Sequence, residues 1–258
     1  MAIQKTEAIV LRTQLFRSSS LIVTFFTRDF GKIQGLVKGV RQEGQTRASA
    51  YELFTRLEIL FYEKIRSNLH LISDGFTLES YEGIRSRLDT IAYASYFSEL
   101  VSELTEVHDP HDKIYELLDF SYRYLSSVSP VSLCRLFEVK LLAEIGWLPH
   151  LDSCISCSKS GFERGYFSIR QGGIYCSDCS PEIPDARELA PAVLSLMRFY
   201  ANHDLEEGLR QHPAKSVVQD FESLMSRFIL DRHTKPFKSR RFLEKIKPVL
   251  SPTFSPSS

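Results

Sequence analysis

Four of the five cysteines fall into two C-x2-C pairs, Cys154-Ile-Ser-Cys157 and Cys176-Ser-Asp-Cys179, separated by the 18 residues 158–175. Each pair lets two thiolates reach one ion from a tight turn, and two pairs complete a closed tetrahedral site. The spacing lies within the zinc-ribbon range. Between the pairs, Phe167–Arg170, Gly172-Gly173 and Ile174-Tyr175 read as a short hairpin that would bring the pairs together. The expectation is one structural Zn2+ per chain, held by Cys154, Cys157, Cys176 and Cys179 in an insertion spanning 152–181. Two alternatives compete. A pair of disulfides is disfavoured in a reducing compartment, and a redox C-x-x-C ordinarily stands alone beside a βαβ unit, which this chain does not display. A catalytic zinc needs an open coordination position, whereas four cysteines close the shell. Cys134 has no partner in the pattern and reads as a packing residue.

The 258-residue chain has the makeup of an ordinary soluble globular protein, 43% hydrophobic and 25% charged. The opening MAIQKTEAIV lacks the basic start and apolar stretch of a signal peptide. The densest apolar run, Leu21–Phe26, is interrupted by Thr24 and too short to span a bilayer. A cytoplasmic location is expected. Net charge is zero and the pI near 7.1, but the charge is unevenly placed. Arg28, Lys32, Lys38, Arg41 and Arg47 face only Asp29 and Glu43 across 28–47. Between Arg232 and Lys247, seven basic residues face Glu244 alone. Such patches suit phosphates, and they equally suit a solvated surface.

The first eighty residues read as about five strands: Ile3–Thr13, Leu21–Thr27, Lys32–Lys38, Leu53–Tyr62 and Leu69–Phe76. β-branched and aromatic residues dominate them, with a longer polar connection over 39–50. Five strands in so short a span favour a small closed barrel, an OB-fold or an SH3-like barrel. After Tyr81 the period becomes helical. Leu88–Leu104 and a segment following Asp112 carry apolar stripes. Ser129-Pro130 is a start signal for a third helix, which Gly146 ends. Further helices are expected near 190–203 and from Pro213, the latter burying Val217, Phe221, Leu224, Met225 and Phe228. The fold class is therefore α+β multidomain: a barrel at 1–80, a helical domain at 81–250 containing the zinc insertion, and a disordered tail at 251–258.

Enzyme signatures fail in turn. No Walker motif, G-x-G-x-x-G, H-E-x-x-H or G-x-S-x-G is present. The deaminase pattern is missing too, since no histidine has glutamate two residues later. His108 and His111 flank Pro110 in a polar loop that reads as solvated rather than metal-binding. The chain is not expected to be an enzyme.

The residues Glu7–Arg12, Ile22–Thr27, Gly31-Lys32 and Lys38-Gly39-Val40-Arg41 resemble the opening of the bacterial RecO recombination-mediator family. Leu141-Leu-Ala-Glu-Ile-Gly-Trp-Leu-Pro149, leading into the first cysteine pair, continues the resemblance over most of the chain. The resemblance implies an N-terminal OB-fold, a helical domain carrying zinc, and a role in DNA repair and recombination. It also implies binding of single- and double-stranded DNA, ATP-independent strand annealing, and association with RecR and the single-stranded-DNA-binding protein to load the recombinase. That work would place the protein at the nucleoid. Some members keep few of the cysteines, so zinc is not implied in the shared function.

On the barrel, Lys32, Lys38, Arg41 and Arg47 are the first candidates for phosphate contacts, with Arg12 and Arg28 behind them. Lys238, Arg240 and Arg241 form a second candidate region. Phe25, Phe26 and Phe30 offer stacking surface unless they are barrel core. Adjacent strand residues face opposite ways, so Phe25 and Phe26 are not expected to be core together. The acidic, apolar-ended tail implied for the single-stranded-DNA-binding protein would need an apolar notch with a basic rim, expected near Arg135 and Lys140. The rival readings are a zinc-stabilised protein-interaction scaffold that does not bind DNA, and a zinc-dependent hydrolase with an empty ligand position.

Overall fold

The computed structural model describes residues 2–17, 19–40, 46–64, 67–162 and 164–250, with backbone alone for 46–48 and 247–250. The expected tail at 251–258 lies outside the described residues. The chain forms two compact units, Met1–Ser127 with Phe237–Ser258, and Val128–Pro236.

In the first unit, β1 (Ile3–Phe16), β2 (Ser20–Thr27), β3 (Gly31–Val37), β4 (Arg56–Tyr62) and β5 (Leu69–Glu79) close a barrel in the order β1-β2-β3-β5-β4. All neighbours are antiparallel except β3 and β5, which run parallel. This is the OB-like member of the two expected barrels. β4 shows the period-two rule without exception: Leu57, Ile59 and Phe61 are buried, and Arg56, Glu58, Leu60 and Tyr62 are partly exposed.

β1 and β2 depart from that rule. Ala8–Leu11 and Val23–Thr27 are buried without alternation. Ala8, Val10, Val23 and Phe25 fill the barrel interior. Ile9 and Phe26, paired across the two strands, point outward and are nonetheless 0% exposed. The reason is a second layer. Helices α1 (Glu82–Arg85), α2 (Leu88–Leu104) and α3 (Asp112–Tyr124) follow the barrel, and α2 packs against β1. Phe25 and Phe26 are thus both buried, which corrects the expectation drawn from alternation alone.

Polar contacts join barrel and helices within this unit. Asp119 accepts a hydrogen bond from the Tyr81 hydroxyl and pairs with Arg56 at 3.5 Å. Arg56 also pairs with Glu7 at 3.6 Å, and Glu7 accepts from the Tyr115 hydroxyl at 3.2 Å. Burial pushes both tyrosine pKa values upward. The loop after α2 lies against β3: the His108 amide donates to the Lys32 carbonyl at 3.1 Å. Gly31, at φ 61°, gives Asp109 the room for this approach.

The second unit begins with α4 (Pro130–Glu144), whose N-cap Ser129 accepts from the Ser132 amide at 3.4 Å. At its other end, the Trp147 amide reaches the Leu142 carbonyl at 2.8 Å and the Gly146 amide reaches Ala143 at 3.2 Å. Gly146 sits between them at φ 74°. This is a complete Schellman motif. A small sheet of β6 (Gly165–Ser168), β7 (Gly173–Tyr175) and β8 (Arg187–Leu189) follows in the order β7-β6-β8. Helices α5 (Pro191–Asn202), α6 (Leu205–Leu209) and α7 (Lys215–Arg232) complete the unit. On α7, Phe221, Leu224, Met225 and Phe228 are buried as expected, while Val218 rather than Val217 occupies the inward position.

At Phe237 the chain returns to the first unit as α8 (Lys238–Leu250), which packs along α2. Phe237, Leu243 and Ile246 are buried. The Glu99 carboxylate accepts the amides of Lys238 and Ser239 at 2.9 and 2.8 Å, filling the role of an N-cap for α8. By packing, the two compact units part at Ser127/Val128 and at Pro236/Phe237. Two-sided burial of β1 and the return of α8 hold barrel and flanking helices together.

The two glycines allow a contrast. A Cβ at Gly31 would collide with the Asp109 backbone, whereas one at Gly146 meets nothing. Gly31→Ala is expected to cost about 2–4 kcal/mol, from strain and overpacking together. Gly146→Ala is expected to cost about 1–2 kcal/mol from the left-handed backbone alone. Urea denaturation of both variants measures the difference.

Candidate metal centre and nucleic-acid surface

The hairpin of β6 and β7 places the cysteines. Tyr166 pairs with Tyr175, and the second knuckle starts at the next residue, Cys176. The first knuckle lies beside β7, its Ile155 amide donating to the Ile174 carbonyl at 3.0 Å. Each knuckle closes on itself. The Ser158 amide returns to the Cys154 carbonyl at 2.9 Å with Ser158 at φ 58°, and the Ser180 amide returns to Cys176 at 3.0 Å. All four Sγ atoms consequently lie within 4.8 Å of one another.

The distances test the competing readings. Cys157 and Cys176 Sγ are 3.8 Å apart, far beyond a disulfide bond of about 2.05 Å. A tetrahedron with metal–sulfur bonds of about 2.3 Å has edges of about 3.8 Å. The donor set and its spacing therefore fit Zn2+. Burial opposes ionisation of Cys154, yet the backbone amides of Cys176, Cys157 and Ser156 draw its thiol down to about 6. Tyr175, Phe162, Tyr166 and Ile183 form an apolar shell around the cluster, and Lys159 and Asp178 pair outside it at 3.2 Å. The fifth cysteine, Cys134, is buried beside Arg135, and burial raises its thiol to about 12. It is a packing residue.

His108 is exposed, with its ring 5.3 Å from that of His70, and His111 occupies the cap position of α3. Among the described residues neither joins a cluster of three metal donors.

The basic candidates separate into engaged and available side chains. The Lys32 ammonium donates to the carbonyls of Ser102 and Thr105, the latter at 2.6 Å. It caps the last turn of α2, and burial lowers its pKa against the pull of Glu103 and Glu106. Arg28 is half-buried with its guanidinium over the Tyr115 ring at 4.9 Å. Neither is placed as a free phosphate contact, because each cation already serves the packing of helix on barrel. Arg12 and Lys38 are exposed. Arg41 and the side chain of Arg47 lie outside the described residues. On α8, Lys238 and Arg241 are exposed, while Arg240 pairs with Glu244 at 3.4 Å. One cleft of about 470 Å³ brings Arg12 and Lys238 together, with Leu53, Phe242, Glu99 and Glu103 also in its walls.

The aromatic candidates are interior. Phe25 is barrel core, Phe26 lies in the second buried layer, and the Phe30 ring packs edge-on against Phe61 at 5.2 Å. The partner candidates also change. Arg135 is 1% exposed and pairs with the fully buried Glu138 at 3.1 Å, so it cannot rim a surface notch. Lys140 is half-buried, its ammonium on the carbonyls of Ala201 and His203. Both lie on α4, whose buried residues run unbroken from Leu133 to Val139 and so do not form a single stripe. Arg17, exposed beside Phe16 at the β1–β2 turn, is a further cation that was not among the candidates.

Two outcomes follow. The reduced protein is expected to carry one zinc per chain by elemental analysis, and Cys176→Ser to weaken its retention and lower Tm by about 5–10 °C. Arg135→Ala leaves Glu138 buried and unpaired, and is expected to cost about 3–5 kcal/mol in chemical denaturation.

Two family models match the chain: the Recombination protein O N-terminal model over residues 1–81 and the C-terminal model over residues 85–241. A DNA repair protein RecO from Syntrophus aciditrophicus is 31% identical over 252 residues, covering 95% of this chain and 97% of the relative. RecO proteins from Halalkalibacterium halodurans and Caldanaerobacter subterraneus are each 29% identical, covering 94% and 95% of this chain and 95% and 99% of their own. The barrel, the helices and the cysteine hairpin thus sit within a sequence matched along nearly its whole length, and the chain belongs to the RecO family of DNA repair proteins.

Proposed function

We propose that this RecO-family protein binds single- and double-stranded DNA through its phosphates and anneals complementary strands without ATP. In this reading it acts with RecR to load the recombinase on DNA coated by the single-stranded-DNA-binding protein. The observation that carries the DNA-binding part is the exposure of Arg12 and Lys38 on an OB-like barrel in a DNA repair family. Lys238 and Arg241 extend the available positive charge onto α8. The reading is non-catalytic: the protein holds strands and partners, and base pairing supplies the driving force for annealing. Zinc has a structural role at Cys154, Cys157, Cys176 and Cys179. The work is placed in the cytoplasm, at the nucleoid. No described helix is long and apolar enough to cross a membrane. The notch for the tail of the single-stranded-DNA-binding protein is not assigned to Arg135 or Lys140, whose cationic groups are engaged inside their own unit.

Phosphate contacts give an affinity that is insensitive to sequence and falls with salt. Lys38→Glu with Arg41→Glu is therefore expected to weaken both DNA forms, flatten the salt dependence by roughly one per lost contact and slow annealing. Zinc content should not change. Substituting Lys238 and Arg241 should give a smaller, additive loss. Anisotropy titrations at several salt concentrations measure these effects. Wild-type protein that binds neither DNA form would favour the zinc-stabilised scaffold instead.

A further inference from the structure

His70, on β5, is 2% exposed, and among the described residues its Nε2 has no hydrogen-bond partner. The other ring nitrogen is committed. The Lys64 amide donates to Nδ1 at 3.2 Å, so Nδ1 carries no proton and the neutral ring keeps its hydrogen on Nε2. Two other rings enclose it. Phe61 of the barrel core is tilted against it at 5.3 Å, and His108 stands edge-on at the same distance. Gly35, its register partner on β3, brings no charge. Among the described residues, the titratable groups that face it are His108, from the loop after α2, and Glu63 and Lys64, from the β4–β5 connection. A second proton on His70 would have to occupy Nδ1, where it opposes the Lys64 amide. It would also bury a charge against Phe61 and His108. Burial lowers the His70 pKa from its ordinary value, with His108 and Lys64 acting in the same direction and Glu63 against them.

The loop that carries His108 is lightly held. Glu106 to Pro110 are all exposed. His108 itself has a left-handed backbone at φ 60°, uncommon for a residue with a Cβ and retained only where the surroundings impose it. Few contacts do so. The His108 amide donates to the Lys32 carbonyl at 3.1 Å, and Val107 forms a parallel bridge with Lys32. Asp109 lies so close to Gly31 that a Cβ there would meet its backbone. The remaining contact is the one between the two imidazoles. A strained, exposed segment fixed by so few bonds belongs to the part of a fold that opens first.

We propose that His70 and the 106–110 loop form an acid-sensitive latch, in which neutral His70 keeps the loop on β3 and protonated His70 releases it. With the loop closed, the ring is covered and binds a second proton poorly. With the loop open, it meets water and takes that proton near the ordinary value of about 6.5. The open form therefore holds more protons than the closed one. The latch has its full strength above about pH 6.5 and loses it as the pH falls through the lowered value. Opening breaks the His108–Lys32 hydrogen bond and the Val107 bridge. The device belongs to the fold and does not depend on DNA binding.

The test is hydrogen exchange on the full-length zinc protein at about pH 7.5 and about pH 5.5, with rates corrected for the intrinsic effect of pH. The His108 amide is expected to lose protection severalfold at the lower pH, while the paired amides of β2 keep theirs. His70→Asn supplies an acceptor for the Lys64 amide and cannot take up the charge, so the acid response should vanish. His108→Phe keeps an edge-on ring on the surface without its charge, and should reduce the response rather than remove it. Imidazole NMR of the 15N-labelled wild-type protein gives a readout that needs no variant. It should show His70 as the Nε2–H tautomer at the higher pH, with its protonation and the loss of His108 protection following one curve. Protection of His108 that is the same at both pH values would overturn the latch. So would an acid response that survives unchanged in His70→Asn, or a His70 titration that leaves the loop undisturbed.

Discussion

Burial of β1 on both faces is the constraint on which the first unit depends. Ala8 and Val10 point into the barrel, while Ile9 and Leu11 point outward and are covered as well. At about 25 cal/mol per Å² of apolar surface removed from water, leaving the outer face of this strand bare would forfeit several kcal/mol. α2 supplies that cover, and the loop after it is then held on β3 by Lys32 and by the absence of a side chain at Gly31. The polar chain Tyr81–Asp119–Arg56–Glu7–Tyr115 fastens α3 to the same side. In turn α8 caps itself on Glu99 of α2. The barrel is half of a two-layer body, and its free surface lies where the helices do not reach.

That division also sorts the charges. A lysine or arginine near a helix end or an aromatic face inside a folded unit finds carbonyls and rings that compete with any external phosphate. Lys32 caps α2, Arg28 covers Tyr115, Arg135 pairs with Glu138, and Lys140 binds the carbonyls after α5. Arg12, Arg17, Lys38, Lys238 and Arg241 project into solvent instead. Net neutrality across the chain conceals this arrangement, because acids such as Asp119 and Glu99 are engaged by groups of their own unit.

The cysteine hairpin follows different physics. Its geometry is local: two knuckles, a three-residue pairing between β6 and β7, and turns closed by single backbone hydrogen bonds. Local geometry of this kind is encoded by spacing, which is why the four ligands could be read from the sequence as a set. The Schellman stop at Gly146 and the Ser129 cap belong to the same category, since each is decided within one helical turn.

Sequence by itself determined the five strands, the helical period of α2, the buried stripe of α3 and most of that of α7, the caps of α4 and the four thiol positions, because strand period, helix period and ligand spacing act over a few residues. It could not determine what covers the outer face of β1, so alternation misjudged Phe25 and Phe26, both of which are buried. Nor could it show that the basic run after Arg232 contains a helix whose Phe237, Leu243 and Ile246 dock on the first unit. Charge density there outweighs a sparse apolar stripe until a partner surface exists. The fate of each cation was likewise decided by tertiary structure, since Lys32 and Lys38 lie on the same stretch of chain and differ only in what folds over them. A charge written in sequence is a capacity for attraction. Whether a phosphate or the protein's own carbonyl receives it depends on which surface the packing of apolar groups leaves open to water.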